Sequence, residues 1–299
     1  MEKLEQTRLR YAESIRGLLW RHHRLRLSDR LVSAFARIPR ERFLGPAPWL
    51  IRGMPALTVR QRMARCFGKH HQRDWTTCDP SHVYHDVAVA IDPERGLNSG
   101  QPSGVATWLH SLELKSGDRV LHVGCGLGYY TALIAAAVAP GEVIAVELDA
   151  ALAREASSNL EGVNGCRVVA ANGVEYDSGP VDVILVNAGV THPQPLWLDN
   201  LRVGGRLMLP LTNEQGKGLM LKVTHESSGW KAQFVSGLII FDCVGGRDPH
   251  LSRRLAAGFS EGSWRSVQSI RRDSHDPDSS CWLHVAGACL SQQIPPFGD

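Results

Sequence analysis

No stretch of this 299-residue chain is apolar for long enough to span a bilayer; the longest such run, around Ala132 to Ala139, falls far short of the roughly 18 residues required. The N-terminus, MEKLEQTRLRYAES, has no apolar signal core. A disulfide framework is also missing, because the seven cysteines are scattered and odd in number. Internal repeats and low-complexity tracts are absent. These gaps argue against membrane-spanning, disulfide-stapled and solenoid classes. They leave a cytoplasmic globular protein as the expectation, long enough to bury a large core.

Net charge is small, +3, but unevenly spread: residues 1–75 hold 17 Lys and Arg against 6 Asp and Glu, so the remainder of the chain is acidic. A basic segment suits either nucleic acid or a solvated helix face. No zinc-finger spacing or aromatic platform accompanies the charge, and the arginines interleave with apolar stripes at Tyr11, Ile15, Leu18, Leu19 and at Leu27, Leu31, Phe35, Ile38. Two amphipathic helices are therefore expected over 1–45, the second entered at Ser28 as N-cap, and nucleic acid is not the expected partner. Residues 46–82 carry prolines at 46, 48, 55 and 80 with little periodicity and read as an irregular insertion. Cys66, His70, His71, Cys78 and His82 within it match no zinc module, so no metal is expected there.

The richest information lies in Arg119 to Asp149. A buried strand, Val120 to Val123, runs into Gly124-Cys125-Gly126-Leu127-Gly128, then a helical pattern, then a second strand, Val143 to Val146, ending on Glu147. Glycines let the backbone turn tightly beside a ligand, the helix start offers free N–H groups, and an acid at the strand tip can accept from both ribose hydroxyls. A dinucleotide turn wants its third glycine where this chain has Tyr129. Further strands are expected at Arg167 to Ala170, Val181 to Val186, Arg206 to Leu211, Leu219 to Val223 and Phe234 to Phe241, with helices near Ser103 and from Pro195 to Leu201. This alternation predicts an α/β fold with a doubly wound, mostly parallel, seven-stranded sheet. The expected division is 1–82 for the helical segment and insertion, 83–241 for the nucleotide-binding domain and 242–299 for a C-terminal extension. In that extension Asp273, His275, Asp276 and Asp278, before Cys281-Trp282, read as an acidic loop without metal.

The compact Gly-x-Gly-x-Gly resembles motif I of the class I methyltransferases. Ile38-Pro39-Arg40-Glu41-Arg42-Phe43 is similar to the Val-Pro-Arg-Glu-x-Phe signature of protein-L-isoaspartate O-methyltransferases. Tyr84-His85-Asp86 is similar to that family's Tyr-x-Asp, Gln101-Pro102 to its Ser-Gln-Pro turn, and Leu201 to Leu211 to its late strand. The likeness covers roughly 28–45 and 83–225.

The resemblance implies S-adenosylmethionine as cofactor and methyl transfer to a side-chain carboxylate, typically an isoaspartate in a protein or peptide. Gly124, Gly126 and Gly128 would flank the methionine end, Glu147 the ribose, and Asn172-Gly173 the adenine. Three positions depart from the family's pattern: His122 stands where an acid is usual, Asn172 where Asp is usual, and Gly100 where the active-site Ser or Thr is usual. Ser99, Gln101 and Ser103 remain as candidate catalytic residues. A carboxylate is already ionised at neutral pH, so no general base is demanded. Other acceptors stay open: a peptide natural product or small molecule, RNA, or none in a non-catalytic cofactor-binding module.

Overall fold

A computed structural model describes residues 2–52 and 74–294. The chain opens with helix Glu2–His23, which buries Tyr11, Ala12, Ile15 and Leu19 and leaves Arg10 and Arg21 exposed, and helix Asp29–Arg37, which buries Leu31, Val32, Ala34 and Phe35. Ser28 caps the second helix by accepting from the Leu31 N–H, as its position predicts. The first packs beside helix Pro102–Ser111 and the second beside helix Tyr129–Val138.

Of the segment 46–82, the described parts, 46–52 and 74–82, include two short strands. β1 (Trp49–Arg52) and β2 (Trp75–Thr77) pair antiparallel, and β3 (Ala88–Asp92) and β4 (Leu97–Asn98) follow, giving a small sheet of order β2-β1-β3-β4. Cys66, His70 and His71 lie outside the described residues. Cys78 is exposed, and His82 Nδ1 sits 2.8 Å from the Thr77 hydroxyl.

The central sheet comprises β5 (Arg119–Val123), β6 (Glu142–Glu147), β7 (Cys166–Ala170), β8 (Val181–Val186), β9 (Leu201–Thr212), β10 (Lys217–Glu226), β11 (Gly229–Ile239), β12 (Ser269–Arg271), β13 (Cys281–Leu283) and β14 (Cys289–Ser291). Their order is β13-β14-β12-β11-β10-β9-β8-β5-β6-β7. From β7 to β9 every pairing is parallel, and from β9 outward every pairing is antiparallel. Ten strands thus replace the expected seven, because the segment beyond residue 241 returns as β12, β13 and β14 on the edge of the same sheet. β9 also begins at Leu201, directly after the short helix Pro195–Asn200, earlier than the alternation predicts.

Side-chain alternation divides the core between the two sheet faces. Val120, Val143, Val183, Leu185, Met208 and Met220 join the cluster under the N-terminal helices and helix Tyr129–Val138. Leu121, Val123, Ile144, Val146, Ile184, Val186, Leu207 and Leu209 join the opposite cluster, with Trp197 and with Leu255 of helix Pro249–Glu261. Both faces are covered, which is why these strands read as near-continuous apolar runs. Among the described residues no helix is long and apolar enough to cross a membrane.

The Ile38 to Phe43 segment acts as a strut. Arg40 is fully buried, and its guanidinium donates to the carbonyls of Val83 (2.7 Å), His85 (3.2 Å) and Val87 (2.7 Å) and to Ser99 Oγ (3.1 Å). Glu41 accepts from Arg8 at 2.7 Å and from the Tyr84 hydroxyl, which itself accepts from the Arg40 N–H at 3.1 Å. One guanidinium therefore positions the whole 83–99 stretch. Arg40→Met leaves those buried carbonyls without donors, at about 1–3 kcal/mol each. We expect urea unfolding to show a loss of at least ~3 kcal/mol; a loss below ~1 kcal/mol would show that the strut is dispensable.

Candidate active site

Two cavities meet over the glycine turn. The first, of about 360 Å³, lies at the carboxyl ends of β5, β6 and β8, where the strand order reverses between β5 and β8, and is lined by Gly124, Gly126, Glu147, Asn172, Gly173 and Asn187 among others. The second, of about 450 Å³, is lined by Ser99, Gly100 and Gln101, by Trp108, Tyr129 and Tyr130, and by Gly237 to Phe241. Ile91, Asn98, Gly124, Gly126, Asn187 and Phe241 line both, so the β3–β4 hairpin and the glycine turn form their common wall.

The turn is built as the motif requires. Gly124, Gly126 and Gly128 sit at φ +74°, +54° and +92°, where a side chain is strained. The Gly126 N–H donates to Glu147 Oε2 at 2.8 Å, tying the turn to the tip of β6. Gly128 lines neither cavity. It starts helix Tyr129–Val138 and packs against Leu160, where a Cβ would come within 3.0 Å of the side chain. Gly173 faces a second steric limit, since a Cβ there would meet Val123 Cγ1 at 2.3 Å. Asn172 Oδ1 closes a turn by accepting from the Val174 N–H at 3.1 Å, so its oxygen already has a backbone partner.

The acceptor-side candidates divide. Gln101 and Ser99 line the second cavity, whereas Ser103 lines neither. Ser103 belongs to the entry of helix Pro102–Ser111: Asp86 accepts from its N–H (2.7 Å) and hydroxyl (2.8 Å) and from Gln101 Nε2 (2.7 Å). Asp86 therefore caps that helix, and its neighbour His85 takes no part. Ser99 Oγ accepts from Arg40 and from the Val89 N–H at 3.1 Å each, which makes it a fastener of the hairpin. Gly100, at φ +70°, presents its carbonyl to the Tyr130 hydroxyl at 3.4 Å. A Cβ at that position finds room beside Val105 and Tyr130, so backbone strain rather than space weighs against a serine.

Asn187 escaped the sequence reading. It follows β8, and its Nδ2 lies 2.9 Å from His122 Nε2, while His122 Nδ1 lies 2.9 Å from the Thr131 hydroxyl. His122 shares a face with Val120, so it points into helix Tyr129–Val138 rather than into a cavity. Asn187 Oδ1 is buried with no protein partner, at the junction of the cavities. Only its place at a strand's carboxyl end beside the glycine turn would have signalled it.

Electrostatics separates the two cavities. Glu147, Asp149 and Asp242 against Arg95 make the first acidic, whereas among the described residues no charged side chain lines the second. Burial raises the thiols that face them: Cys243 is pushed up to about 11, and Cys125 also rises, helped by Glu147. Both stay protonated near neutral pH. Burial lowers His122 to about 4. An unfolded histidine titrates near ~6.5, so as pH falls the unfolded chain takes up the proton first. The stability contributed is complete above ~6.5 and is lost as pH falls toward the folded value, by roughly 3 kcal/mol. His122→Asn removes this linkage. The gap in unfolding free energy between wild type and variant should therefore shrink by about that amount from pH 7 to about pH 4 in urea titrations, and a constant gap would refute the assignment.

The family model for protein-L-isoaspartate(D-aspartate) O-methyltransferase (PCMT) matches residues 55–244. Protein-L-isoaspartate O-methyltransferase 2 of Shewanella sediminis is 30% identical over 167 residues, covering 54% of this chain and 67% of that relative. Protein-L-isoaspartate O-methyltransferase 1 of Geotalea uraniireducens is 41% identical over 136 residues, covering 43% of this chain and 59% of that one. Matches to the first three curated relatives span between 54% and 72% of their length. Among solved structures, a protein-L-isoaspartate O-methyltransferase superposes with a TM-score of 0.62 at 22% identity, covering 88% of this chain and 72% of that one. A Plasmodium falciparum protein described as a putative member of the same group, in complex with S-adenosyl-L-homocysteine, gives 0.56 at 17%, covering 77% and 96%. At those identities the superpositions establish the class I methyltransferase fold. The family-model match covers more than half of the chain, which therefore belongs to the protein-L-isoaspartate(D-aspartate) O-methyltransferase family.

Proposed function

We propose that this protein transfers a methyl group from S-adenosylmethionine to a side-chain carboxylate, and that the acceptor is an L-isoaspartyl residue of a protein or peptide. The observation that carries the reading is the meeting of an acidic cavity and an uncharged one across Gly124, Gly126 and Asn187. The first suits a cofactor bearing a sulfonium and an ammonium. Its residues fit that group: Asn187 Oδ1 is an unpartnered acceptor for the ammonium, Glu147 stands at the strand tip for ribose hydroxyls, and Gly126, which lines the cavity at φ +54°, keeps its backbone free of a side chain there.

When bound, the cofactor supplies an electrophilic methyl carbon with a neutral thioether as leaving group. The protein then has to hold an ionised acceptor oxygen in line with that carbon and exclude water. Trp108, Tyr129, Tyr130 and Ile240 provide apolar walls for the acceptor. Among the described residues no charged side chain lines that cavity, and the cofactor's sulfonium would attract the carboxylate. Gln101 Nε2 is anchored on Asp86, which fixes the rim where the acceptor enters. Cys125 and Cys243 remain thiols and do not compete for the methyl group.

The test is labelled methyl transfer to an isoaspartyl peptide beside its normal aspartyl twin. We expect base-labile label on the isoaspartyl peptide alone. Label on neither peptide, with calorimetry still detecting the cofactor, would reject the acceptor while keeping the cofactor site. In a folded Gly126→Val variant the cofactor's affinity should fall at least tenfold, about 1.4 kcal/mol. Unchanged affinity would move the methionine end away from this turn.

A further inference from the structure

The C-terminal strands β13 and β14 are only three residues each and end the sheet, with β13 on its outermost edge. Four donors nevertheless converge around them. One ligand atom from each of His275, Cys281, His284 and Cys289 lies within 4.8 Å of every other. Cys281 Sγ is 3.5 Å from His275 Nε2 and 3.8 Å from His284 Nδ1. A tetrahedral zinc ion with Zn–S near 2.3 Å and Zn–N near 2.0–2.1 Å would set that sulfur–nitrogen edge at about 3.6 Å. The two imidazole rings stand nearly perpendicular, at 87°, with centroids 4.9 Å apart, so they approach a common point from different directions.

The surroundings prepare these groups as ligands. His275 Nδ1 lies 3.0 Å from the Asp273 carbonyl oxygen and 3.2 Å from its carboxylate, so an Nδ1–H donated there turns the Nε2 lone pair toward the cluster. That arrangement, a backbone carbonyl or carboxylate behind a ligating histidine, fixes the tautomer a metal needs. The Asp278 N–H lies 3.4 Å from Cys281 Sγ and donates to it. Asp273 and Asp278 are themselves held by Arg271, at 2.7 and 2.8 Å. Asp273 and Asp278 are therefore committed to a guanidinium, and the histidines and cysteines between and after them form the donor set. Cys289 is fully buried, whereas Cys281 and both histidines are partly covered.

We propose that His275, Cys281, His284 and Cys289 form a closed Cys2His2 site for a structural Zn2+, which pins β13 and β14 to the sheet edge. Two thiolates and two imidazoles select zinc over calcium or magnesium, which require oxygen ligands. All four positions are filled by protein, leaving none for water or substrate, so the role is structural. Binding releases one proton from each thiol. In the sheet β14, which carries Cys289, is separated from β5 by β12, β11, β10, β9 and β8, well away from the glycine turn.

The experiment is metal analysis of the full-length protein, purified under reducing conditions and dialysed, by inductively coupled plasma mass spectrometry. We expect about one zinc per chain. In Cys281→Ser and His284→Gln variants the content should fall at least about tenfold, and in Cys166→Ser, which alters a thiol elsewhere, it should not change. Cobalt-substituted wild type should show the visible bands of a tetrahedral ion and thiolate-to-metal charge transfer in the near ultraviolet. Should the variants fail to fold, the wild type decides alone: a strong chelator should lower its melting temperature by several degrees, and added zinc should restore it. A folded, reduced wild type holding less than about a tenth of an equivalent, and giving no cobalt spectrum, would overturn the proposal. A Cys281–Cys289 disulfide in freshly prepared protein would overturn it too, as would variants that keep their zinc.

Discussion

A buried guanidinium whose hydrogen bonds all go to carbonyls and a hydroxyl, none to a carboxylate, sets the geometry of the acceptor side. Arg40 gathers Val83, His85, Val87 and Ser99 around one planar fork. Five fixed donors in a plane can satisfy several converging acceptors at once, which an ammonium on a flexible stem does less well. The residues so gathered have little regular structure of their own, yet they deliver Asp86 to the start of helix Pro102–Ser111 and the β3–β4 hairpin to the mouth of both cavities. The N-terminal helices contribute through the same connection, since Arg8 reaches Glu41 and Tyr84. Arg8 and Arg40, two members of the basic N-terminal segment, are thus tied to the architecture of the site.

The proposed chemistry asks little of titratable groups, and the structure is consistent with that economy. Among the described residues no histidine or carboxylate lines the second cavity. The buried histidine beside the glycine turn is neutral and serves to orient Asn187. Positioning, charge complementarity between the cofactor and its cavity, and exclusion of water are the available contributions. Each depends on backbone shape more than on reactive side chains, which explains why glycines and one amide figure so largely.

Much of this was legible in the chain because the informative patterns are local. The glycine turn, the apolar strand before it and Glu147 at the next strand tip lie within thirty or so residues and report on one βαβ unit. Ser28 as an N-cap and the Tyr11-Ile15-Leu19 stripe are local in the same sense. What escaped depends on distant partners. Ser103 reads as a free hydroxyl until Asp86 is found against it, and Ser99 until Arg40 arrives from 59 positions away. The edge strands β12 to β14 are too short for any alternation to register, so the sheet reads as seven-stranded. Asn187 carries no motif and acquires its role only from the order in which β8 and β5 lie together.

The chain leaving β11 folds back across the glycine turn. Phe241, Asp242, Cys243 and Val244 wall the first cavity, and Asp242 bridges to Gly189 beside β8. The motif that begins the cavity, at Gly124, is thus separated by more than a hundred residues from the segment that closes it. On the ribosome, the glycine turn, Glu147 and Asn187 would all have emerged before that wall existed. A nascent chain therefore presents an open groove in place of a pocket, and tight retention of a small molecule there must wait until synthesis has passed Val244.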